Sequence, residues 1–402
     1  MTLAFFAILI MEMVEQVLSY FTFDIIELIG ILLFSLLFFI QLFYYFNYYR
    51  KPYDYVKKLD QYEGLSDNFK PKVSVIIVSE NEVDSLTENL SAILSQDYPD
   101  FEVIVVNNGS TDESDVLLTS MELNHPNLYH TYLPYSNDKK LSRYKLALTL
   151  GAKAAKGDIL LFTQPYCRPV SNKWINSMVR GFSENKEVVL GYSFFQKKNC
   201  FYNRMARFDN HIFSMQYLSR AIKGSPYVGV FRNIAFRRHL FFDNKGFASN
   251  LHLEAAEEIL INEIMTKVNT SVALSQDSFI ETKMQEFSLW KQIKRSYSLS
   301  KTYLRNKAPV IFGIEFFSRS IFYLLFITLI VYSSVFQHWA LLGITIFLFL
   351  LRLCIQYTIL TKSTRYFNSG KFIFSLPLFD FLEPYYNIKF KTRYRGLTKV
   401  MK

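Results

Sequence analysis

The first third of the chain contains two short apolar runs, and each is followed by a polar turn. Residues 73–78 and 101–106 are rich in valine and isoleucine and too short for helices, which predicts buried parallel strands. Between them, apolar residues recur at helical spacing, and Asp84 or Ser85 is placed to cap the predicted helix. Such a strand–helix–strand unit binds ligands beyond the carboxyl ends of its strands.

The turn after the second predicted strand concentrates hydrogen-bonding groups. It consists of Asn107, Asn108, Gly109, Ser110, Thr111 and Asp112. An ordinary turn of a Rossmann-like sheet is the alternative interpretation, but so many polar groups at one strand end favour a binding turn.

Long apolar segments near both ends of the chain predict membrane spans. Residues 25–46 have the length needed to cross a bilayer, and residues 319–336 and 340–360 predict two further spans joined by a short loop. Residues 1–24 predict an interfacial or half-embedded helix, because acidic residues interrupt their apolar pattern. Residues 373–388 are short and contain acids and prolines, which favours a re-entrant or interfacial segment. An aromatic belt at the membrane surface is predicted for Tyr44, Tyr45, Tyr48 and Tyr49.

The distribution of basic residues orients the predicted spans. A basic tail follows residue 388, and the preference for positive charge on the cytoplasmic side places this tail and the soluble domain in the cytoplasm. The predicted organisation is an N-terminal membrane segment with one span (1–50), a polar linker (51–71), a soluble domain (72–308) and a C-terminal membrane region (309–402).

The net charge of +10 raises the possibility of nucleic-acid binding. We exclude it, because the basic residues concentrate beside the spans, where anionic lipids attract them. Residues 288–307 show the interleaved basic and apolar pattern of a membrane-surface helix. The three cysteines are far apart and predict no disulfide or metal framework. A transporter is disfavoured, since three spans without a buried charge pair are expected.

A family resemblance adds to this picture. Asn81-Glu82, the QDYP segment at residues 96–99 and the NNGSTD turn resemble the opening of a family 2 glycosyltransferase of the GT-A fold. The resemblance continues through LALTLGAKAAKGDILLFT (146–163), GVFRN (229–233) and NKGFAS (244–249) to about residue 300. It implies an α/β, Rossmann-like domain that binds a nucleotide-sugar and is flanked by transmembrane helices.

The resemblance also implies roles for individual residues. The nucleotide would be held by Asn81, Glu82, Asn107, Asn108 and Asp112, and the acceptor and diphosphate would be lined by Arg232, Asn233, Gln292 and Arg295. Glu257 or Glu258 would be the catalytic base. The alternative is that Glu254, Glu257, Glu258 and Glu263 form the solvated face of a helix whose buried face is Leu260, Ile261, Ile264 and Val268.

The family's metal site is degenerate in this sequence. Family members hold Mg²⁺ or Mn²⁺ with two acids one residue apart, after the strand predicted here at residues 158–163. Gln164 and Tyr166 occupy those two positions, so no metal and no cofactor are assigned. Ser296 stands where the family usually has an aromatic residue or histidine after its Gln-x-x-Arg motif.

Two functions remain open from the sequence. The first is an inverting hexosyltransferase at the cytoplasmic face of a bacterial inner membrane, acting on a lipid-linked or glycan acceptor in polysaccharide or glycolipid biosynthesis. The second is a catalytically inactive relative that serves as a membrane scaffold or partner protein, since fold alone does not determine function.

Overall fold

The computed structural model describes residues 22–59, 69–135, 141–284, 286–305 and 308–400. Its strands are β1 (Val73–Ser79), β2 (Phe101–Asn107), β3 (Leu128–Tyr132), β4 (Ile159–Thr163), β5 (Cys167–Pro169), β6 (Val188–Leu190), β7 (Ser193–Phe195), β8 (Ile234–Arg237), β9 (Thr270–Val272) and β10 (Ile280–Thr282). The main sheet has the order β3-β2-β1-β4-β8-β6-β9, and β5-β10-β7 form a smaller sheet.

The helices surround the main sheet and continue into the apolar ends of the chain. They are α1 (Ile25–Tyr44), α2 (Lys51–Leu59), α3 (Val83–Leu94), α4 (Ser114–Asn124), α5 (Arg143–Ala154), α6 (Trp174–Val179), α7 (Phe201–Ile222), α8 (Arg238–Asp243), α9 (Glu258–Ile264), α10 (Phe287–Ser300), α11 (Ala308–Val335), α12 (Trp339–Tyr366) and α13 (Leu376–Val400). A π-helical segment, Tyr45–Tyr49, separates α1 from the start of α2.

The two predicted strands pair in parallel and in register. Val73 lies opposite Phe101, and β4 pairs in parallel with the other edge of β1. Both faces of β1 are covered, because Ile76 and Val78 pack with α5 and α7, and Val75 and Ile77 pack with α3 and α6. This double burial explains the continuous apolar run that identified the strand in the sequence.

The start of α3 differs from the expectation. The helix begins at Val83 with Glu82 at the N-cap, ahead of Asp84 and Ser85. The Val83 amide donates to the Asp112 carboxylate at 3.0 Å, so the cap comes from the next strand's turn. A cap supplied by a residue distant in sequence leaves no local signature.

Three helical stretches are long and apolar enough to cross a membrane: Ile25–Lys58, Val310–Val335 and Trp339–Tyr366. They agree with the three predicted spans. The interfacial helix predicted for residues 1–24 falls almost wholly outside the described residues. Most of the segment predicted as re-entrant or interfacial lies in α13, which contains Pro384 and is not among the three candidate spans.

The structure corrects the predicted tyrosine belt. All four tyrosines between residues 44 and 49 are buried against other helices instead of facing a membrane surface. The Tyr44 hydroxyl donates to the Ile311 carbonyl at 2.7 Å, and the Tyr48 ring packs on Phe312. Clustered tyrosines are also typical of helix interfaces, where the ring is buried and the hydroxyl finds an acceptor.

The expectation that the spans lack buried charge pairs is wrong. Arg319 on α11 and Arg352 on α12 are buried and pair with Asp380 on α13 at 3.1 and 2.8 Å. Arg319 also pairs with Glu383, one turn further along α13. We call these four residues the bundle cluster. Arg319 is also within 3.5 Å of the buried Glu315, one turn earlier on α11. Asp380 and Glu383 lie on a helix outside the three candidate spans, so the sequences of the spans did not reveal these pairs.

Helix α10 is also placed differently from the expectation of a membrane-surface helix. Its Trp290 is buried and donates to the Asp209 carboxylate on α7 at 2.8 Å. Lys294 pairs with the same carboxylate at 2.5 Å. The apolar and basic residues of this segment therefore fix α10 against the α/β domain and α13, and this positions the opposite face of α10 at a cavity.

Candidate active site

A cavity of about 820 Å³ lies beyond the carboxyl ends of β1, β2 and β4. This is the edge at which parallel α/β sheets bind ligands. Residues from α5, α10 and the segment before α9 close its sides. Its polar lining residues include Glu80, Glu82, Asn108, Ser142, Arg143, Tyr144, Gln164, Tyr166, Arg232, Glu254, Glu257, Glu258, Gln292, Arg295 and Ser296.

The predicted nucleotide residues divide into two groups. Glu82 and Asn108 line the cavity. The buried side-chain amide of Asn108 donates to Glu80 at 2.6 Å, while its side-chain oxygen, Oδ1, has no hydrogen-bond partner among the described residues. A buried acceptor of this kind is free to receive a hydrogen bond from a ligand.

The other nucleotide candidates do not line the cavity but build its turn. Asn81 accepts from the Thr111 amide at 2.8 Å, and Asn107 accepts from the Ser110 amide at 2.9 Å. Partial burial acts to raise the pKa of Asp112, but hydrogen bonds from Ser114 and the Val83 amide outweigh it and lower the pKa. These contacts hold the two polar turns together.

Gln164 and Tyr166 lie in the cavity wall where the family pattern has metal-binding acids. The Gln164 amide donates to the Tyr144 hydroxyl at 2.6 Å. Burial, followed by the neighbouring Cys167, raises the pKa of Tyr166 well above its usual range, so its phenol stays protonated and is a poor ligand. Within the described residues, no group of three or more His, Cys, Asp or Glu side chains could hold a metal ion. The residues present do not fit a divalent cation at this position.

Positive charge reaches the cavity from arginines instead. Arg232 is buried, donates one Nη to Asn210 at 2.8 Å and stacks over the Phe195 ring. Its other Nη has no partner among the described residues. Arg143 donates weakly to the backbone carbonyl of Asn108 at 3.3 Å, and Arg295 lines the cavity from α10. A guanidinium with free N–H groups can bind a phosphate in bidentate fashion.

Glu257 and Glu258 face the cavity as a carboxylate pair. Burial, and then the charge of Glu257, raises the pKa of Glu258 to about 8, and burial also raises the pKa of Glu257. The Ser296 hydroxyl lies 3.3 and 3.4 Å from the two carboxylates, and Ser300 donates to Glu258. Two carboxyl groups that share one buried site hold a proton between them near neutral pH.

The alternative interpretation, a solvated helix face, agrees with the exposed Glu254 and the half-buried Glu257 and Glu263, but Glu258 departs from it. Helix α9 has only seven residues, and Glu258 at its start is 7% exposed. Leu260, Ile261 and Ile264 are buried as that interpretation expected, but Val268 lies after the helix and is exposed.

Two further site features were missed in the sequence. Lys145 is fully buried on α5 and donates to the Asn250 carbonyl at 2.8 Å. Burial lowers the pKa of Lys145 to about 8, although Glu257 and Glu258 act to raise it. Arg143 and Tyr144, its neighbours on α5, line the cavity. The only signal was an Arg-Tyr-Lys run at a helix start after Ser142, which also fits a solvated helix end.

Asn233 is the acceptor-side candidate that does not line the cavity. Its amide donates to the carbonyls of Tyr192 and Ser278, and its oxygen accepts from Trp174. These contacts tie the two sheets together beneath the site. Its neighbour Arg232 and the two α10 residues Gln292 and Arg295 do line the cavity.

Comparison with known proteins agrees with this architecture. Residues 74–243 match the family model described as glycosyl transferase family 2. The solved structure of mannosyltransferase PcManGT from Pyrobaculum calidifontis, in complex with GDP-Man and Mn²⁺, is similar at 16% identity and a TM-score of 0.58, covering 92% of this chain and 98% of that chain. S. aureus TarS 1-349 matches with 19% identity and a TM-score of 0.42, covering 74% of this chain and 89% of that chain.

The sheet order and the cavity at the parallel strand ends define an α/β domain with the GT-A fold, flanked by apolar helices. Within this domain, residues 74–243 are the part that matches the glycosyl transferase family 2 model.

Proposed function

We propose that this protein is an inverting, membrane-bound hexosyltransferase that uses a nucleotide-sugar as donor. The observation that carries the proposal is the carboxylate pair of the half-buried Glu257 and the buried Glu258, which shares one cavity with Arg143, Arg232 and Arg295. A carboxylate that accepts a proton and cations that receive a phosphate leaving group are the two requirements of glycosyl transfer from a nucleoside diphosphate.

In this proposal the donor takes one orientation in the cavity. The nucleoside lies against the turns that follow β1 and β2, where the unpartnered side-chain oxygen of Asn108 accepts a hydrogen bond from the base. The diphosphate lies toward Arg232 and Arg295, and the sugar lies between them and the carboxylate pair. The structure of PcManGT is a complex with GDP-Man, which supports a nucleoside diphosphate sugar as the ligand class.

Glu257 acts as the general base in this proposal. Glu258, with a pKa of about 8, holds the shared proton at neutral pH, so Glu257 is the ionised member. Glu257 removes the proton from the acceptor hydroxyl, whose oxygen forms a bond to the anomeric carbon from the face opposite the donor phosphate. The bond from that carbon to the diphosphate breaks, and the nucleoside diphosphate leaves with the electron pair.

The leaving group is neutralised by arginine in this proposal. The partly hydrogen-bonded Arg232 and the cavity-lining Arg295 supply positive charge where Gln164 and Tyr166 supply none. Pre-positioned cations in a buried site stabilise developing charge more than they would in water.

A catalytically inactive scaffold is the second candidate, and Gln164 is the observation that favours it. The Gln164 amide is hydrogen-bonded to Tyr144 across the position of a missing metal ligand. A binding protein that retains the fold needs neither a metal nor a general base.

Turnover of nucleotide-sugars by the purified full chain tests the proposal. UDP- and GDP-sugars are supplied with dolichyl-type and undecaprenyl-type lipid phosphates or with glycan acceptors, in EDTA and in Mn²⁺. We expect release of nucleoside diphosphate at equal rates in both conditions. Binding of no donor, or binding without turnover for any acceptor, would establish the scaffold instead.

The proposed location is the cytoplasmic face of a bacterial inner membrane. In chain order, the proposed organisation is a membrane region (1–50), a linker (51–71), the soluble domain (72–308) and a second membrane region (309–402). Three candidate spans and the basic residues of the C-terminal tail support this topology. A reporter enzyme that is active only in the cytoplasm is expected to be active when it is fused after Lys402. An exported reporter would make α13 a fourth span.

A further inference from the structure

A second cavity, of about 310 Å³, lies between α12 and the stretch that leads from α1 into α2. It shares no lining residue with the candidate active site. Its apolar wall includes Phe46, Cys354 and Ile355, and its polar rim includes the cations Arg50, Lys57 and Lys362. We call it the rim cavity.

The rim cavity lies at the end of the spans that meets the α/β domain. Glu27 at the start of α1 lies 3.3 Å from His338 in the loop before α12, so these two residues mark the opposite end of the bundle. Tyr366 at the end of α12 donates to the Leu274 carbonyl of the α/β domain, and its ring packs against Tyr53 on α2. The rim cavity is therefore at the domain end of the bundle, where the charged residues that follow the predicted spans indicate one membrane surface.

The charges of the rim cavity are unbalanced. Arg50 pairs with Asp54 at 2.9 Å, and both line the cavity. Lys57 and Lys362 are exposed, and neither has a carboxylate within ion-pair distance in the described part of the chain. The Lys57 ammonium lies 5.0 Å from the centre of the Tyr53 ring. Three cations thus face one carboxylate, which leaves an excess of positive charge for an anion.

We propose that the rim cavity binds an anionic membrane lipid through the phosphate of its headgroup. The phosphate contacts Lys57 and Lys362, which come from two different helices and converge on one opening. The acyl chain runs along Phe46, Cys354 and Ile355 toward the interior of the bilayer. An apolar wall that continues below a basic rim matches a lipid, whereas a soluble anion would leave the apolar wall unused.

Protection of Cys354 provides a direct measure of binding. Cys354 lines the rim cavity and is exposed, and the exposed Cys200 on the α/β domain serves as an internal reference in the same molecule. The full chain in a neutral detergent is alkylated with a maleimide, and both sites are followed by mass spectrometry. Dioctanoyl phosphatidate is expected to slow alkylation of Cys354 but not of Cys200. Dioctanoyl phosphatidylcholine and inorganic phosphate at the same concentration are expected to leave both rates unchanged.

Matched variants separate the rim cavity from general surface charge. Lys57→Gln/Lys362→Gln removes two cations from the rim. Each cation is expected to contribute about fivefold to the affinity for the lipid, so the half-protecting concentration of phosphatidate should rise by about 25-fold. Lys58→Gln/Arg365→Gln removes two cations from the same helices outside the cavity. This control is expected to change the half-protecting concentration by less than about twofold.

Three results would overturn the proposal. Equal protection by phosphatidylcholine would show a groove that takes acyl chains without regard to charge. Protection by inorganic phosphate would show a soluble anion as the occupant. An equal loss of affinity for phosphatidate in the two double variants would show that only the overall charge of the surface attracts the lipid. A failed enzyme assay leaves this test unaffected, because the two cavities are separate.

Discussion

Two clusters of carboxylates, the bundle cluster and the glutamate pair in the cavity, differ in the groups around them. In the bundle cluster, Asp380 accepts from Arg319 at 3.1 Å and from Arg352 at 2.8 Å, and Tyr323 donates to it at 2.8 Å. In the cavity, the hydrogen bonds to Glu257 and Glu258 come from the serines 296 and 300 and not from a cation. Two arginines donate hydrogen bonds to Asp380, whereas the side-chain hydrogen bonds to the glutamate pair come from neutral hydroxyls, and Lys145 acts on the pair through its charge alone.

The difference in surroundings distinguishes carboxylates that hold helices together from carboxylates that can exchange a proton. Burial of a charge without a partner is unfavourable, and a carboxyl group in that situation retains its proton more strongly. The raised pKa values of Glu257 and Glu258 show this effect. A group with a pKa near neutral pH can exchange a proton during a reaction, while a fully paired group mainly fixes the packing of helices.

Loss of the proposed base should have the largest effect. Glu257→Gln keeps the size of the side chain but cannot accept a proton, so turnover is expected to fall about 10²–10⁴-fold. Thermal stability and donor binding should remain close to those of the wild type. Activity assays and melting curves on the same preparation measure both. Unchanged turnover in Glu257→Gln and in the Glu257→Gln/Glu258→Gln double variant would leave the pair without a catalytic role.

Breaking the bundle cluster should act on stability. Asp380→Asn leaves Arg352 buried beside a neutral amide, and the expected loss is about 3–5 kcal/mol in the free energy of unfolding. The exposed pair of Arg50 and Asp54 provides the control, because Asp54→Asn should cost about 0–1 kcal/mol. Denaturant unfolding in detergent compares the two. Equal losses would show that burial of the ion pairs is energetically unimportant.

Two carboxylates introduced at positions 164 and 166 should make nucleotide binding depend on a metal ion. Gln164→Asp/Tyr166→Asp provides two carboxylates at the family's metal positions, and Mn²⁺ with a nucleoside diphosphate is then expected to stabilise the variant by about 2.7 kcal/mol at 100 times its Kd. In the wild type and in the single variant Gln164→Asp, the stabilisation by the nucleoside diphosphate should be the same with Mn²⁺ as with EDTA. Tight binding of Mn²⁺ by the wild type would contradict the neutral site described above.

The smallest effect concerns the pH dependence of stability. Because the folded pKa of Glu258 is raised to about 8, the folded state binds a proton that the unfolded state has released, and stability falls as pH rises from about 4.5 to 8. Glu258→Gln lacks this loss. We expect the variant to gain on the order of 1–3 kcal/mol over the wild type between pH 5 and pH 8.

The control for this measurement lies on the same helix. Glu263→Gln removes a carboxylate that pairs with the exposed Arg305 at 3.3 Å. It shows the general effect of losing a negative charge from α9. A difference between Glu258→Gln and the wild type that stays constant with pH would contradict the raised pKa.

The elements with local patterns were predicted well. Strands β1, β2 and β4 and the three apolar helices agree with the sequence, because a buried parallel strand and a membrane-length helix are each defined by one continuous run of residues. The cap of α3 was predicted at the wrong residues, since Asp112 reaches it from another turn.

The sequence by itself determined the α/β unit, the candidate spans and the residue types near the strand ends, including the loss of both metal-binding acids at Gln164 and Tyr166. Only the tertiary structure decided which polar residues share an environment. It buried Lys145 near the glutamate pair and placed Arg319 and Arg352 against acids on another helix. Burial and countercharge are set by residues distant in the chain, and they separate the charge-compensated Asp380 from Glu257, the proposed base.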